Sequence, residues 1–269
     1  MEIIKHPAPD TKFKHVLFDF DGTLSLIREG WQDIMIPYFI DVLCETPDAE
    51  DRPELEKIVT LFVDRLTGKQ TIFQCIQLDE EVISRGGRKT EPGIYKAEYL
   101  RRLGIHIKNR IVRLREGSDP EEFLVRGAVR LLELLKAEGC TLYLASGTDE
   151  VDVHCEAGLL GMDRYFGEHI YGARDDMTDC SKEIVIKDII ADQNFTGNEF
   201  LSFGDGFVEI ELTSGIGGYA VGVATDEVRK QGINPRKRER LLEAGADMII
   251  ADFNECDELI SYLFKKEKR

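Results

Sequence analysis

Two aspartates separated by a single residue, Asp19 and Asp21, follow the apolar run Val16-Leu17-Phe18 and precede Gly22 and Thr23. The run suits a strand buried on both faces of a parallel sheet. Residues two apart on a strand share a side, so both carboxylates stand at one side of its tip. Like charges there repel unless a cation lies between them. Mg²⁺ is the expected ion, because it takes hard oxygen ligands and keeps waters beside one or two carboxylates. Asp-Gly is also ordinary turn chemistry, so the other strand ends must decide.

They carry matching groups. Cys140 to Ala145 reads as a second buried strand, and it ends in Ser146-Gly147-Thr148. Glu199 to Phe203 reads as a third, and it ends in Gly204-Asp205-Gly206, with Glu209 one helical turn further on. Lys182 opens the helix before that strand. In an open parallel sheet, ligands sit outside the carboxyl ends of the strands. Phosphoryl transfer needs a nucleophile, cancellation of charge on the phosphoryl oxygens, and proton handling. Asp19 is placed as the nucleophile. Asp21 can protonate the leaving oxygen and then activate water. Ser146, neighbouring backbone N–H groups such as that of Gly147, and the following helix N-terminus can hold phosphoryl oxygens. Lys182 can neutralise charge on them. Asp19, the Asp21 carbonyl and Asp205 can ligate Mg²⁺, with Glu209 binding directly or through water. Ser146 is preferred to Thr148 because it terminates the strand, and Lys182 to Lys187 because it lies at a helix mouth.

These four motifs, in chain order, resemble the haloacid dehalogenase superfamily. They are Asp19-Phe20-Asp21-Gly22-Thr23, Ser146-Gly147-Thr148, Lys182 within Ser181-Lys182-Glu183, and Gly204-Asp205-Gly206-Phe207-Val208-Glu209. The resemblance covers about two-thirds of the chain. Asp21 points to the phosphatase branch, since dehalogenases of the family lack that second aspartate. Glu209 departs from the Asp common at the last position, which puts its direct coordination in question. The resemblance implies a Mg²⁺-dependent phosphatase acting through an aspartyl-phosphate on a small phosphorylated metabolite, phosphoglycolate-like or sugar-phosphate-like. A phosphomutase of the same superfamily is the alternative. A phosphorylated signalling module is more distant, because such modules are shorter and lack a helical insertion.

The elements that must position these groups follow from periodicity. Trp31–Glu45, Pro53–Leu66, Gln70–Ser84 and Thr90–Leu103 read as helices, with Ile107–Leu114 ambiguous. Asp119-Pro120 starts another, running to Gly139. Thereafter helix and strand alternate: Glu150–Leu160, His169–Tyr171, Ser181–Gln193, Glu199–Phe203, Phe207–Ser214, Tyr219–Val223, Pro235–Ala244, Met248–Ile250 and Glu255–Phe264. Repeated alternation implies an α/β, doubly wound parallel sheet with right-handed crossovers, a Rossmann-like core. Residues 1–25 and 118–269 would form that core. Residues 26–117 would form a smaller, all-helical cap closing over the site. Arg28, Lys69 and Arg88 are candidate cap contacts to substrate anions; Arg85 and Lys89 are further cations of the same stretch.

Bulk properties set the remaining limits. The chain has 269 residues, enough for a core plus a smaller domain. Its formal net charge of -16 argues against nucleic acid or an anionic membrane as partner, since both are polyanions. Cys44, Cys75, Cys140, Cys155, Cys180 and Cys256 form no Cys-x-x-Cys pair, which fits reduced thiols in the cytoplasm. Met1 to Thr11 has no apolar signal core, and no stretch is apolar enough to span a bilayer.

Overall fold

The structure is a computed structural model, and it describes residues 1–174, 182–183, 186–187, 191 and 197–265. Seven strands form one sheet: β1 (Glu2–Ile3), β2 (His15–Phe18), β3 (Thr141–Asp149), β4 (Ile170–Ala173), β5 (Phe200–Gly204), β6 (Tyr219–Val223) and β7 (Met248–Ile250). Their spatial order is β1-β7-β6-β5-β2-β3-β4. Every neighbouring pair is parallel except β1 with β7. The antiparallel edge strand β1 was not expected; two residues are too short to show a pattern.

β2 is central because both its faces are apolar. Val16 and Phe18 join the larger core, where Phe18 stacks on Phe203 at 4.9 Å, while Leu17 joins a second cluster with Tyr143 and Phe200. That split is the period-two alternation of a strand with helices above and below it. Chain order reverses at β2, since β3 and β4 lie to one side and β5 to β7 to the other.

Between β2 and β3 run four helices: α1 (Gln32–Cys44), α2 (Arg52–Arg65), α3 (Thr71–Ser84) and α4 (Pro92–Arg115). Asp51 caps α2 by accepting from the Glu54 N–H at 3.0 Å. The ambiguous Ile107–Leu114 stretch is simply the second half of α4. Tyr38, Phe39, Leu55, Phe62, Leu78 and Tyr99 are buried among these helices. Arg110 ties α4 to the loop after β2 by donating to the carbonyls of Ile27 and Glu29, each at 2.7 Å. Lys96 of α4 pairs with Asp149 of β3 at 2.7 Å.

The expected helix from Asp119 to Gly139 is broken. Asp119 does cap a turn, accepting from Glu121 N at 3.1 Å, but that turn is a four-residue 3₁₀ helix, Pro120–Phe123. Leu124 then becomes extended. The cause is tertiary: Leu26 N donates to Phe123 O and Val125 N to Leu24 O, so the segment pairs with the loop after β2. The helix restarts as α5 (Ala128–Ala137). α6 (Glu150–Leu159) and α7 (Asp163–Phe166) follow β3; α8 (Val208–Gly215), α9 (Pro235–Glu243) and α10 (Cys256–Leu263) complete the chain. Of the expected Ser181–Gln193 helix, Lys182, Glu183, Ile186, Lys187 and Ala191 are helical. Ser181, Gln193, Cys180 and the tail residues after Lys265 lie outside the described residues. Among the described residues no helix is long and apolar enough to cross a membrane.

Candidate active site

Register brings the strand ends together. Phe18 lies opposite Leu144 of β3 and Phe203 of β5. The next residues, Asp19, Ala145-Ser146 and Gly204-Asp205, therefore lie at one level, where the strand order reverses; β3 does not end at Ala145 as expected but runs on, with a shift of register against β4, to Asp149, so Ser146, Gly147 and Thr148 lie within it. The Asp19 N–H donates to Phe203 O at 2.9 Å, which fixes the first aspartate against β5. The chain then turns sharply, with the Leu24 and Ser25 N–H groups both donating to Phe20 O. Thr23 Oγ1 donates to Asp19 Oδ2 at 3.4 Å.

Lys182 is 1% exposed and sits between two acids. Its Nζ is 2.5 Å from Asp19 Oδ1 and 2.9 Å from Glu209 Oε2. Both carboxylates hold the ammonium's pKa far above its usual value, against the pull of burial. Asp19, Asp205 and Glu209 are all buried, and each offers a carboxylate oxygen within 4.8 Å of the others. Burial pushes the Asp19 carboxyl up, Lys182 opposes it, and Glu209 and Asp205 add to the rise. An ionised Asp19 in this setting calls for a second cation facing it. Three hard oxygen donors at that spacing fit a divalent ion. Glu209 is the least free of the three: Oε1 accepts from Gly206 N at 2.8 Å, and Oε2 from Lys182.

Asp21 stands apart from that carboxylate group. Thr148 Oγ1 donates to its Oδ2 at 2.7 Å, and Ser146 Oγ does so at 3.4 Å. Its Oδ1 is buried with no partner among the described residues. Burial raises the Asp21 pKa, with Arg28 and the Thr148 bond pulling the other way. A carboxyl raised by burial, with Thr148 donating to one oxygen and the other left bare, suits proton donation.

The helices α1 to α4 close the opposite wall. Trp31, Met35, Thr67, Gly68, Lys69, Gln74, Tyr99 and Leu103 face the strand-end residues across a cleft with about 590 Å³ of empty space, partly open to solvent. The loop joining α2 to α3 touches the core directly. A Cβ on Gly147 would come within 2.6 Å of the Lys69 carbonyl, so only glycine allows this approach.

The sequence pattern described as haloacid dehalogenase-like hydrolase matches residues 13–212. The chain belongs to this family. No curated protein matches it. Among solved structures, a predicted phosphoglycolate phosphatase of Haemophilus somnus is 18% identical, with a TM-score of 0.61, covering 93% of this chain and 99% of that one. A predicted phosphatase of Clostridium acetobutylicum is 18% identical, with a TM-score of 0.60 and coverages of 93% and 99%. A β-phosphoglucomutase of Clostridium difficile is 14% identical, with a TM-score of 0.61 and coverages of 94% and 98%. Identities this low establish the shared fold alone.

Within this haloacid dehalogenase-like hydrolase, the structure gathers Asp19, Asp21, Ser146, Gly147, Lys182 and Asp205 around one cleft, with Glu209 directly behind. Lys69 also lines it, its Nζ 6.0 Å from the ring centres of Phe73 and Phe207. Arg88 is exposed and is not among the lining residues, and Arg85 is committed to Glu50 and Glu81. Arg28 reaches the cleft, but its charge is largely spent on Glu156 at 2.7 Å and Asp152 at 2.9 Å. Sequence reasoning missed those partners, and Thr148 as the main support of Asp21. It also missed Lys237, which lies 2.6 Å from Asp205. The Asn234-Pro235 start signal places Lys237 in a first helical turn, but only the strand order aims that turn at Asp205.

Burial pushes Glu156 up to about 7 from 4.5, with Arg28 pulling it down. The native state therefore binds the proton more tightly than the unfolded chain. Stability from this group is fully present below about pH 4.5 and is lost as pH rises to about 7. At 1.36 kcal/mol per pKa unit the loss is at most about 3 kcal/mol. Urea unfolding of the wild type and Glu156→Gln between pH 4.5 and 8 reads it. The wild-type stability should fall relative to the variant up to pH 7 and then level off.

Proposed function

We propose that this hydrolase is a Mg²⁺-dependent phosphatase that cleaves the phosphate ester of a small metabolite through an aspartyl-phosphate on Asp19. The observation that carries the reading is the division of labour between the two aspartates. Asp19 faces Lys182 and two other acids, whereas Asp21 is held by Thr148 with one oxygen left over.

The chain's own residues then account for both half-reactions. An Asp19 carboxylate oxygen attacks phosphorus, the ester P–O bond breaks, and the leaving oxygen takes the proton from Asp21. Asp21, now a carboxylate, takes a proton from water. The water oxygen attacks phosphorus, the bond to Asp19 breaks, and inorganic phosphate leaves. Ser146 Oγ and the Gly147 N–H bind phosphoryl oxygens, and Lys182 offsets their charge. Asp19, Asp205 and the Asp21 carbonyl would hold Mg²⁺, with Glu209 acting through water because both its oxygens already have partners. When bound, the ion neutralises the phosphoryl oxygens and lets the anionic ester approach Asp19.

Residues 26–117 act as the cap and residues 1–25 with 118–269 as the core in this reading. Closing the cap expels water from around the phosphoryl group. Lys69 is the cap cation best placed for a substrate anion. Arg28, already paired with Glu156 and Asp152, is suited to donate to an uncharged oxygen, and Trp31, Met35, Tyr99 and Leu103 offer a carbon skeleton an apolar wall. A sugar-phosphate-like substrate fits those features better than one with an anionic leaving group, such as the glycolate of phosphoglycolate. No disulfide joins the described cysteines, and a reducing, cytoplasmic setting completes the proposal.

A phosphate-release screen with Mg²⁺ over sugar phosphates, phosphoglycolate and nucleotides tests it, with EDTA as control. Release from at least one ester, abolished by EDTA, is expected. Isomerised sugar phosphate without phosphate release would contradict hydrolysis.

A further inference from the structure

Asp205 is gripped from several directions by parts of the chain that the proposed chemistry does not use. Lys237 occupies the first turn of α9, where the Asn234 side chain accepts from the N–H groups of Arg236 and Lys237 and fixes the turn. Lys237 Nζ lies 2.6 Å from Asp205 Oδ2 and 2.5 Å from Glu227 Oε1. Arg240, one turn along, donates to the Asp205 carbonyl at 2.9 Å. Gly22 closes the remaining side: its φ is +78°, and a Cβ there would sit 2.4 Å from Asp205 Oδ2 and 3.1 Å from Glu227 Oε1. Asp205 thus has one oxygen committed to a fixed ammonium and no room to swing.

We infer that Lys237 is a tethered cation that positions Asp205 and sets how tightly the site holds its metal ion. This rests on the metal assignment proposed above. Asp205 Oδ2 and Glu227 Oε1 face one point at bonding distance, which is the cradle a second divalent ion would take. Lys237 fills it with a single, immovable charge. Lys237 therefore holds the site to one ion and keeps that ion exchangeable. Glu227 tempers the effect, because it draws part of the ammonium's charge away from Asp205.

Opposite substitutions should move affinity in opposite directions. The experiment is calorimetric titration of the full-length chain with Mn²⁺ at fixed pH and salt. The wild type is expected to bind one ion. Lys237→Met removes the competing charge and should tighten binding about tenfold or more, with a second, weaker ion entering the vacated cradle. Glu227→Gln leaves the whole ammonium charge on Asp205 and should weaken binding about tenfold, the usual scale for a group bonded to a ligand. Lys237→Arg keeps the charge and should keep the affinity close to wild type. General loosening of the fold cannot tighten one variant and weaken its neighbour. If Lys237→Met does not fold, as read by far-ultraviolet circular dichroism, Glu227→Gln and Lys237→Arg still decide. Unchanged affinity in Lys237→Met and Glu227→Gln, with one ion bound by the wild type, would overturn this inference alone. No binding by the wild type would overturn the metal assignment and this inference together.

Discussion

Asp19→Asn is expected to abolish phosphate release, by at least about 10⁴-fold in kcat, while the protein stays folded. Losses of that order follow removal of a covalent nucleophile. The amide has the same shape as the carboxylate but cannot form the acyl phosphate. Folding should survive for an electrostatic reason. Asp19 is one of three neighbouring buried carboxylates, so a neutral group in its place relieves repulsion from Asp205 and Glu209 while Lys182 keeps Glu209 as a partner. The checks are steady-state kinetics and a thermal melt on the same preparation. Hydrolysis at the wild-type rate would exclude Asp19 as the attacking group.

Lys182→Met should show the second large effect, first in stability. Lys182 is the only cation bonded to Asp19 and Glu209 among the described residues, and all three side chains are buried. Breaking a buried pair by removing one member costs about 3–5 kcal/mol, because an uncompensated charge stays behind. Here two carboxylates are stranded, so the metal-free variant should lose at least that much in urea unfolding. Saturating Mg²⁺ should return part of the loss, since the ion supplies positive charge to the same oxygens. A loss that Mg²⁺ does not change would mean that Lys182 and the ion serve separate groups. Turnover should fall about 10²- to 10³-fold even where the variant is folded, the scale seen when one charge-stabilising donor is removed.

Sequence gave away the residues that strands present in a regular way. Asp19 and Asp205 each follow a fully buried apolar strand, β2 or β5, and the rule that parallel sheets bind ligands at their carboxyl ends puts both at one site. Asp21 is legible for the same reason, and Ser146 because it follows the buried apolar part of β3, although that strand runs on to Asp149. The chain hid whatever depends on contacts made across the fold. Arg28 looks like a free cation until α6 brings Glu156 and Asp152 beside it, more than a hundred positions later. Lys237 is one of three consecutive basic residues at a helix start, and nothing local separates it from Arg236 or Arg238. The break after Phe123 is another case. Asp119 and Pro120 are sound start signals, yet pairing of Leu124 and Val125 with the loop after β2 ends the helix within a turn. Local propensity lost there to tertiary hydrogen bonding.

The most direct measurement is a crystal structure of the protein grown with Mg²⁺ and beryllium fluoride, which mimics a phosphoryl group on a carboxylate. Beryllium bound to an Asp19 oxygen is expected, with Ser146 and Lys182 on its fluorides and Mg²⁺ ligated by Asp19, Asp205 and the Asp21 carbonyl. Beryllium fluoride bound away from Asp19, or Mg²⁺ seated without Asp205, would contradict the proposed chemistry.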